Sequence, residues 1–328
     1  MPAPTNPRPS KAVTETDKSA EQLQILTGDC REVLATLPDS SVQCCVTSPP
    51  YWGLRDYGHS DQIGLEETPA QYVESIVEVF REVRRVLKDD GTLWLNLGDS
   101  YIGSRGGGQG KNGQLANRSV VAARCRVRNK TLTAPELKNK DLAGIPWRVA
   151  FALQDDGWWL RSDIIWNKPN CMPESVKDRP TRNHEYLFLL TKSEHYRYDY
   201  EAIKEPGVIP AGTRAAKGSS KRGEAKGVNG RPPEYWEYDG MRNKRTVWTV
   251  KTRPYKEAHF AVFPPELVTP CVLAGAGPGD TVLDPFGGSG TTGQVAMDHG
   301  RRAILIEINP EYAELANGRT SRTVGLPL

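Results

Sequence analysis

Hydrophobic and polar positions along this chain change period several times, and each change marks an element. Short apolar runs read as strands: Leu23 to Leu26, Val42 to Thr47 (VQCCVT), Thr92 to Leu97 (TLWLNL), Ser162 to Trp166, Tyr186 to Thr191, Thr281 to Leu283 and Ala303 to Glu307 (AILIE). Between the second and third runs, Tyr72, Ile76, Phe80, Val83 and Leu87 recur at helical spacing, which predicts a helix over about Thr68 to Lys88. Thr68 is a good N-cap, Pro69 suits the first helical position and Gln71 completes a capping box. Gly91 is expected to end that helix. Further helices are predicted over Asp29 to Leu37, Ile145 to Leu153, Phe263 to Ala274 and about Ser289 to His299. Strands that alternate with helices imply an α/β fold built on a mostly parallel twisted sheet.

Two stretches break the pattern. Gly103 to Gly113 is Gly-rich and reads as a mobile loop, and Gly207 to Gly240 is polar, Gly/Pro-rich and without periodicity. The chain has 328 residues, enough for one large domain or two modest ones. It has no run of eighteen apolar residues, so no membrane span is expected. Residues 1–20 lack the apolar stretch of a signal peptide and read as a disordered tail rich in Pro, Ser, Thr and charge. Six cysteines (Cys30, Cys44, Cys45, Cys125, Cys171, Cys271) form no C-x-x-C, and the five histidines are scattered. Neither a disulfide framework nor a metal site is expected, and a reducing cytoplasm is the expected location.

Charge is uneven beneath a net +3. Gly103 to Thr133 holds seven Lys or Arg and no acid, and Lys204 to Lys256 is net +8, which leaves the rest of the chain at −12. Two basic segments on an acidic body suggest a polyanionic partner, with solvated loops as the plainer alternative.

Chemistry enters at two places. In TVLDPFGGSGTTG a strand ends in Asp284, and Gly288-x-Gly290-x-x-Gly293 then opens a helix. Glycines let the backbone approach a ligand, and a helix N-terminus favours negative charge. Glu307, nineteen residues after Gly288 and at the end of the next strand, stands where an acid binds ribose hydroxyls. The pattern points to an adenosine-type ligand and does not separate NAD from S-adenosylmethionine. The strand VQCCVT, in turn, delivers Thr47-Ser48-Pro49-Pro50-Tyr51. Two prolines fix the backbone and remove two N–H groups, so the Pro49 carbonyl is held ready to accept a hydrogen bond. Ser48 adds a second polar atom, and Tyr51 adds a flat face. Such a site suits the exocyclic amino group of a planar base. Trp52 and Tyr57 are further candidate walls.

TSPPY with DPFGGSGTTG resembles the amino-methyltransferases of DNA, which make N4-methylcytosine or N6-methyladenine. The catalytic motif precedes the cofactor motif, the order of that family's β group, and the resemblance runs from about Gln24 to Asn317. GDC at Gly28 to Cys30, NHEYLFLLTK at Asn183 to Lys192, HFAVFPPELV at His259 to Val268 and ILIEINPEY all resemble further family segments.

The resemblance implies the S-adenosylmethionine-dependent, Rossmann-like methyltransferase fold with an inserted basic target-recognition region. It assigns catalysis to Ser48, Pro49, Pro50 and Tyr51. It assigns the cofactor S-adenosylmethionine to Asp29, Asp284, Phe286, Gly288, Gly290, Thr291 and Glu307. It divides the chain into a tail (1–20), a catalytic half (21–200) with a mobile basic loop (103–133), a target-recognition region (201–256) and a cofactor half (257–328). Arg105, Lys111, Arg124, Arg126, Arg128, Arg222, Arg231, Arg242 and Arg245 become candidates for binding double-stranded DNA.

Ser at the first position of the tetrapeptide is the family's usual choice for cytosine N4, whereas Asp or Asn is usual for adenine. The expected protein is a bacterial or phage-encoded cytoplasmic DNA (cytosine-N4) methyltransferase, monomeric or homodimeric. It would act alone or beside a separate restriction endonuclease. Adenine N6 remains the alternative within the family. A NAD-linked oxidoreductase or an inactive DNA-binding protein are the alternatives outside it.

Overall fold

The computed structural model describes residues 22–103, 126–127, 132, 134–209, 211–216, 235–252 and 263–321, with the backbone alone at 126–127, 214–216, 235–236 and 321. The expected tail and most of the expected mobile loop lie outside them. Eight strands form one sheet: β1 (Leu23–Thr27), β2 (Val42–Thr47), β3 (Leu87–Leu97), β4 (Trp159–Asn167), β5 (His184–Thr191), β6 (Val247–Thr249), β7 (Thr281–Asp284) and β8 (Arg302–Glu307). Their spatial order is β1-β8-β7-β2-β3-β5-β4-β6. β5 alone runs against its neighbours, pairing antiparallel with both β3 and β4. The other pairings are parallel, as the alternation of elements predicts.

The sheet is buried on both faces, so its strands read as nearly continuous apolar runs. Period two divides each strand between two cores. Leu93, Leu95 and Leu97 of β3 and Phe188 and Leu190 of β5 face α1 (Cys30–Thr36), α2 (Pro69–Val86) and α3 (Ile145–Asp155). Trp94, Leu187 and Leu189 face the other way, toward α4 (Pro265–Gly275) and α5 (Thr291–Asp298). α6 (Pro310–Ser321) packs beside α5. No helix among the described residues is long and apolar enough to cross a membrane.

α2 follows its sequence closely. The Thr68 hydroxyl accepts from the Gln71 backbone N–H, and the Gln71 side chain accepts from the Thr68 N–H. Tyr72, Ile76, Phe80 and Val83 are fully buried, and each contributes about 1.5–3 kcal/mol by leaving water. The end of the helix differs from expectation. It stops at Val86, and Gly91 lies inside β3. Leu87 already pairs with Val42 of β2, and the register shifts before Cys44 meets Thr92. A Cβ on Gly91 would sit 2.8 Å from the Lys88 carbonyl oxygen, so glycine permits this irregularity and does not act as a cap.

The span 201–256, which the sequence sets apart for target recognition, has two structural parts. Its residues Val247–Thr249 are β6, paired in parallel with Ile165, Trp166 and Asn167 of β4. The last part of that span is therefore built into the main sheet. Its earlier described residues form two short antiparallel pairs, Glu205–Pro206 with Met241–Arg242 and Arg214–Ala216 with Tyr235–Glu237.

Candidate active site

All strands but β5 present their carboxyl ends at one edge of the sheet. β2 is where the halves meet, with β7, β8 and β1 on one side and β3, β5, β4 and β6 on the other. A cavity of about 270 Å³ opens at that edge and touches both halves.

On the β7/β8/β1 side the chain turns at Asp284 to Thr292. The Asp284 carboxylate is buried and accepts from the Thr47 hydroxyl at 2.6 Å, the Thr292 hydroxyl at 2.7 Å and the Phe286 backbone N–H at 3.0 Å. Burial raises its pKa, and those three donors pull it back. Its oxygens thus tie the end of β7 to the end of β2 and the start of α5. Gly288 has φ +50°, with its nearest neighbour 3.8 Å from where a Cβ would lie. Its N–H donates to Glu307 Oε2 at 2.8 Å. Gly290 does not line the cavity. It holds φ +79° at the N-cap of α5, and a Cβ there would come within 2.9 Å of the Ala316 Cβ.

Glu307 ends β8, and the Asn309 N–H donates to its other oxygen at 2.9 Å. Burial pushes its pKa up to about 7 against the pull of these backbone donors. Asp29 caps α1 through the Arg31 N–H and pairs with the Arg31 guanidinium. Burial would raise its pKa, but the Arg31 hydrogen bonds prevail and lower it. Thr291 accepts from Arg319 of α6 at 2.8 Å, and Phe286 packs on the core while lining the cavity.

This half fits a ribose-bearing cofactor. Glu307 is desolvated and meets only backbone donors, so hydroxyl donors would stabilise its charged form. The glycine turn leaves backbone exposed to a ligand at Gly288.

The β3/β5/β4 side is a side-chain network. Asn96 of β3 is 1% exposed, and its Nδ2 donates to the Tyr186 carbonyl at 3.0 Å. That bond turns Oδ1 toward the tetrapeptide, where it accepts from Ser48 Oγ at 3.1 Å and from the Tyr51 hydroxyl at 2.8 Å. The Tyr51 hydroxyl has one proton for two acceptors, Asn96 Oδ1 and, at 2.7 Å, Glu185 Oε2 of β5. Burial and the facing Glu185 carboxylate push the Tyr51 pKa well above its ordinary value, so it stays a neutral donor. Its ring packs on Gly98, where a Cβ would come within 2.5 Å of Cε2. Glu185 pairs in turn with Lys168, which follows β4 and stands over the Trp166 ring. The Pro50 carbonyl accepts from the Tyr72 hydroxyl of α2 at 2.9 Å. Among the described residues, no donor reaches the Pro49 carbonyl.

Of the site residues named from the sequence, the cavity brings together Ser48, Pro49, Pro50, Tyr51, Asp29, Asp284, Phe286, Gly288, Thr291 and Glu307. It adds Asn96, Trp166, Lys168, Glu185 and Tyr312, which sequence reasoning missed. Asn96 left one readable trace, a polar residue in an apolar strand. Of the candidate walls, Tyr57 lines the cavity, whereas Trp52 is 1% exposed in the core with its indole N–H on the Glu66 carbonyl.

Arg242 and Arg245 both pair with Glu205 and do not line the cavity. Arg105, Lys111, Arg124, Arg128, Arg222 and Arg231 lie outside the described residues, as does the side chain of Arg126. Burial pushes the Cys30 and Cys44 thiols up to about 12, and those of Cys45 and Cys271 well above their ordinary value, so none of them is a thiolate near neutrality. Among the described residues no group of His, Cys, Asp and Glu could hold a metal.

The family model N6_N4_Mtase, DNA methylase, matches residues 42–318. The chain is 52% identical over 293 residues to the Type II methyltransferase M.XycI of Xanthomonas campestris pv. cyanopsidis, covering 89% of this chain and 85% of that one. Its fold is similar to that of the PvuII DNA methyltransferase (cytosine-N4-specific), with a TM-score of 0.61, 19% identity, and coverage of 93% and 87%. It is also similar to TTHA0409 of Thermus thermophilus, a putative DNA modification methylase solved with S-adenosyl-L-methionine. There the TM-score is 0.55, the identity 25%, and the coverage 92% and 94%.

Proposed function

The chain belongs to the N6_N4_Mtase family of DNA methylases, and from that premise we propose that its target is the exocyclic N4 amino group of a cytosine flipped out of duplex DNA. It is an S-adenosylmethionine-dependent DNA methyltransferase of the Type II kind. Glu307, the Gly288 turn, Phe286 and Asp29 would hold the cofactor, which supplies an electrophilic methyl group when bound.

The observation that carries the reading is the Asn96–Ser48 hydrogen bond at the end of β2. Asn96 takes the Ser48 proton, so the Ser48 lone pairs are left to accept from an amino N–H. The Pro49 carbonyl is the second acceptor. Conjugation into the ring makes the amino nitrogen of cytosine a poor nucleophile. Two acceptors aligned on its hydrogens localise the lone pair on nitrogen and aim it at the cofactor half of the cavity. The chain's part is positioning and electrostatics, without a covalent enzyme intermediate.

Extruding a base costs a few kcal/mol, roughly, and stacking on an aromatic ring such as Tyr51 returns about 1–3 kcal/mol. The preference for cytosine rests on Ser48. Double-stranded DNA is the partner, and the basic segments 103–133 and 201–256 would meet its phosphates. A restriction endonuclease acting separately would be the companion of a Type II enzyme.

Nucleoside mass spectrometry tests the reading. Mixed-sequence duplex DNA is incubated with the protein and S-adenosylmethionine and then digested. N4-methylcytosine is expected. N6-methyladenine would overturn the choice of base while leaving the family intact, and neither product would overturn the activity.

A further inference from the structure

The base-side half of the cavity holds an ion pair that methyl transfer itself does not require. Lys168 follows β4 and Glu185 is the second residue of the neighbouring strand β5, and their side chains are only 16% and 17% exposed. Removing two charges from water costs several kcal/mol per ion, roughly, and a buried pair seldom returns more than that. The pair is therefore a poor device for stability alone.

Its position is specific. One Glu185 oxygen meets the Tyr51 hydroxyl, and the other meets Lys168. The Lys168 ammonium also stands 4.1 Å from the centre of the Trp166 ring, which favours the cation on that face. Glu185 and Trp166 fix the ammonium, and it lines the cavity with N–H capacity left over. Arg55, the other cation lining the cavity among the described residues, lies two residues before Tyr57, whose ring packs on Tyr312 at the glycine-turn end.

The chemistry of the target completes the case. Beside its amino group cytosine carries two acceptors, N3 and O2. Adenine carries N1 and then a C–H. With the amino group on Ser48 and Pro49, a fixed cation beyond Tyr51 faces the acceptor edge of a pyrimidine. We propose that Lys168 is a specificity-determining residue that donates to the O2 edge of the flipped cytosine, and that Glu185 is its positioning residue. The inference rests on the cytosine reading above.

The test is a double cycle between protein and base. Wild type, Lys168→Met and Lys168→Met/Glu185→Gln are assayed on duplex DNA made with cytosine and on the same duplex made with 2-thiocytosine, whose sulfur is a weak acceptor. Effects of the sulfur on DNA recognition are common to all three proteins and cancel. N4-methylation is read by mass spectrometry, cofactor affinity by titration and folding by thermal melting. On ordinary DNA both variants should lose about 10- to 100-fold in kcat/KM, the worth of a charge-assisted hydrogen bond, with cofactor affinity unchanged. The 2-thio substitution should slow wild type and leave both variants nearly indifferent.

An equal 2-thio penalty in all three proteins would overturn the proposal. Recovery of activity in the double variant would also overturn it, because Lys168 would then only neutralise Glu185. The double variant leaves no unpaired buried charge, so it decides the matter if the single one fails to fold. A wild type that yields N6-methyladenine would instead mark the failure of the cytosine reading, and this proposal would fall with it.

Discussion

The two halves of the cavity are built by opposite means. On the β7/β8/β1 side the ligand-facing groups are mostly backbone: one turn with positive φ at Gly288, and one desolvated acid, Glu307, nineteen residues away. On the β3/β5/β4 side they are side chains from four separate places, Ser48, Asn96, Lys168 and Glu185, joined by hydrogen bonds and an ion pair. A backbone cradle suits a ligand that never changes. A side-chain network can be retuned residue by residue, which suits the half that must choose among bases.

Asp284 joins the halves, and removing it should have the largest effect. Asp284→Ala strands the Thr47 hydroxyl and the Phe286 N–H in a buried site and leaves the Thr292 hydroxyl only the Val46 carbonyl at 3.2 Å. The expected loss is about 3 kcal/mol of stability, seen as a lower melting temperature, together with loss of both cofactor retention and turnover. Loss of turnover alone would show that the halves are independent. Ser48→Ala comes next and should separate them: about a 100-fold fall in kcat, the scale of one removed polar contact to the reacting group, at unchanged cofactor affinity. An equal fall in cofactor affinity would refute the division of labour.

The same contrast explains what the sequence made legible. The glycine turn, Glu307 and the tetrapeptide are local signals, each a strand end followed by its own loop, so spacing alone locates them. Asn96, Lys168 and Glu185 become a site only once the strand order is known. Glu185 falls in a segment whose strand was predicted, but its place at the site depends on β5 running backwards, which brings the start of that strand to the edge where the others end. α6 escaped prediction because small residues, Ala313 and Ala316, carry much of its buried face and leave little hydrophobic period to read. Gly91 misled because a glycine after a helix usually caps it, and here strand pairing begins first.

Glu307 sharpens the comparison through pH. In the ligand-free protein burial raises its pKa to about 7, so below that pH the folded protein holds the proton. Ribose hydroxyls donating to the carboxylate would make the cofactor select the deprotonated form. Affinity should then rise with pH through 7, by about tenfold between pH 6 and 8, with release of a proton. Glu307→Gln should abolish that dependence and weaken binding by about tenfold at pH 8, while kcat at saturating cofactor stays near wild type. A wild-type affinity that is flat between pH 6 and 8 would show that Glu307 does not meet the hydroxyls.

The smallest effect is expected at Arg245, whose outcome bounds the base-side half. Arg245 and Arg242 share Glu205, but Arg245 is 67% exposed at its side chain and Arg242 29%. An exposed pair of this kind contributes about 0–1 kcal/mol, so Arg245→Ala should leave the melting temperature unchanged. Arg245 precedes β6, which runs parallel to β4, so it lies about four residues, roughly 13 Å, below the edge where Thr249 meets Asn167. A phosphate contact there requires DNA to extend down the flank of the sheet. If it does, Arg245→Ala makes the plot of log affinity against log salt shallower by about 0.9, one counterion fewer, with a modest and sequence-independent loss of affinity. An unchanged slope would show that Arg245 meets no phosphate and would leave Glu205 with its two arginines as a brace for β6.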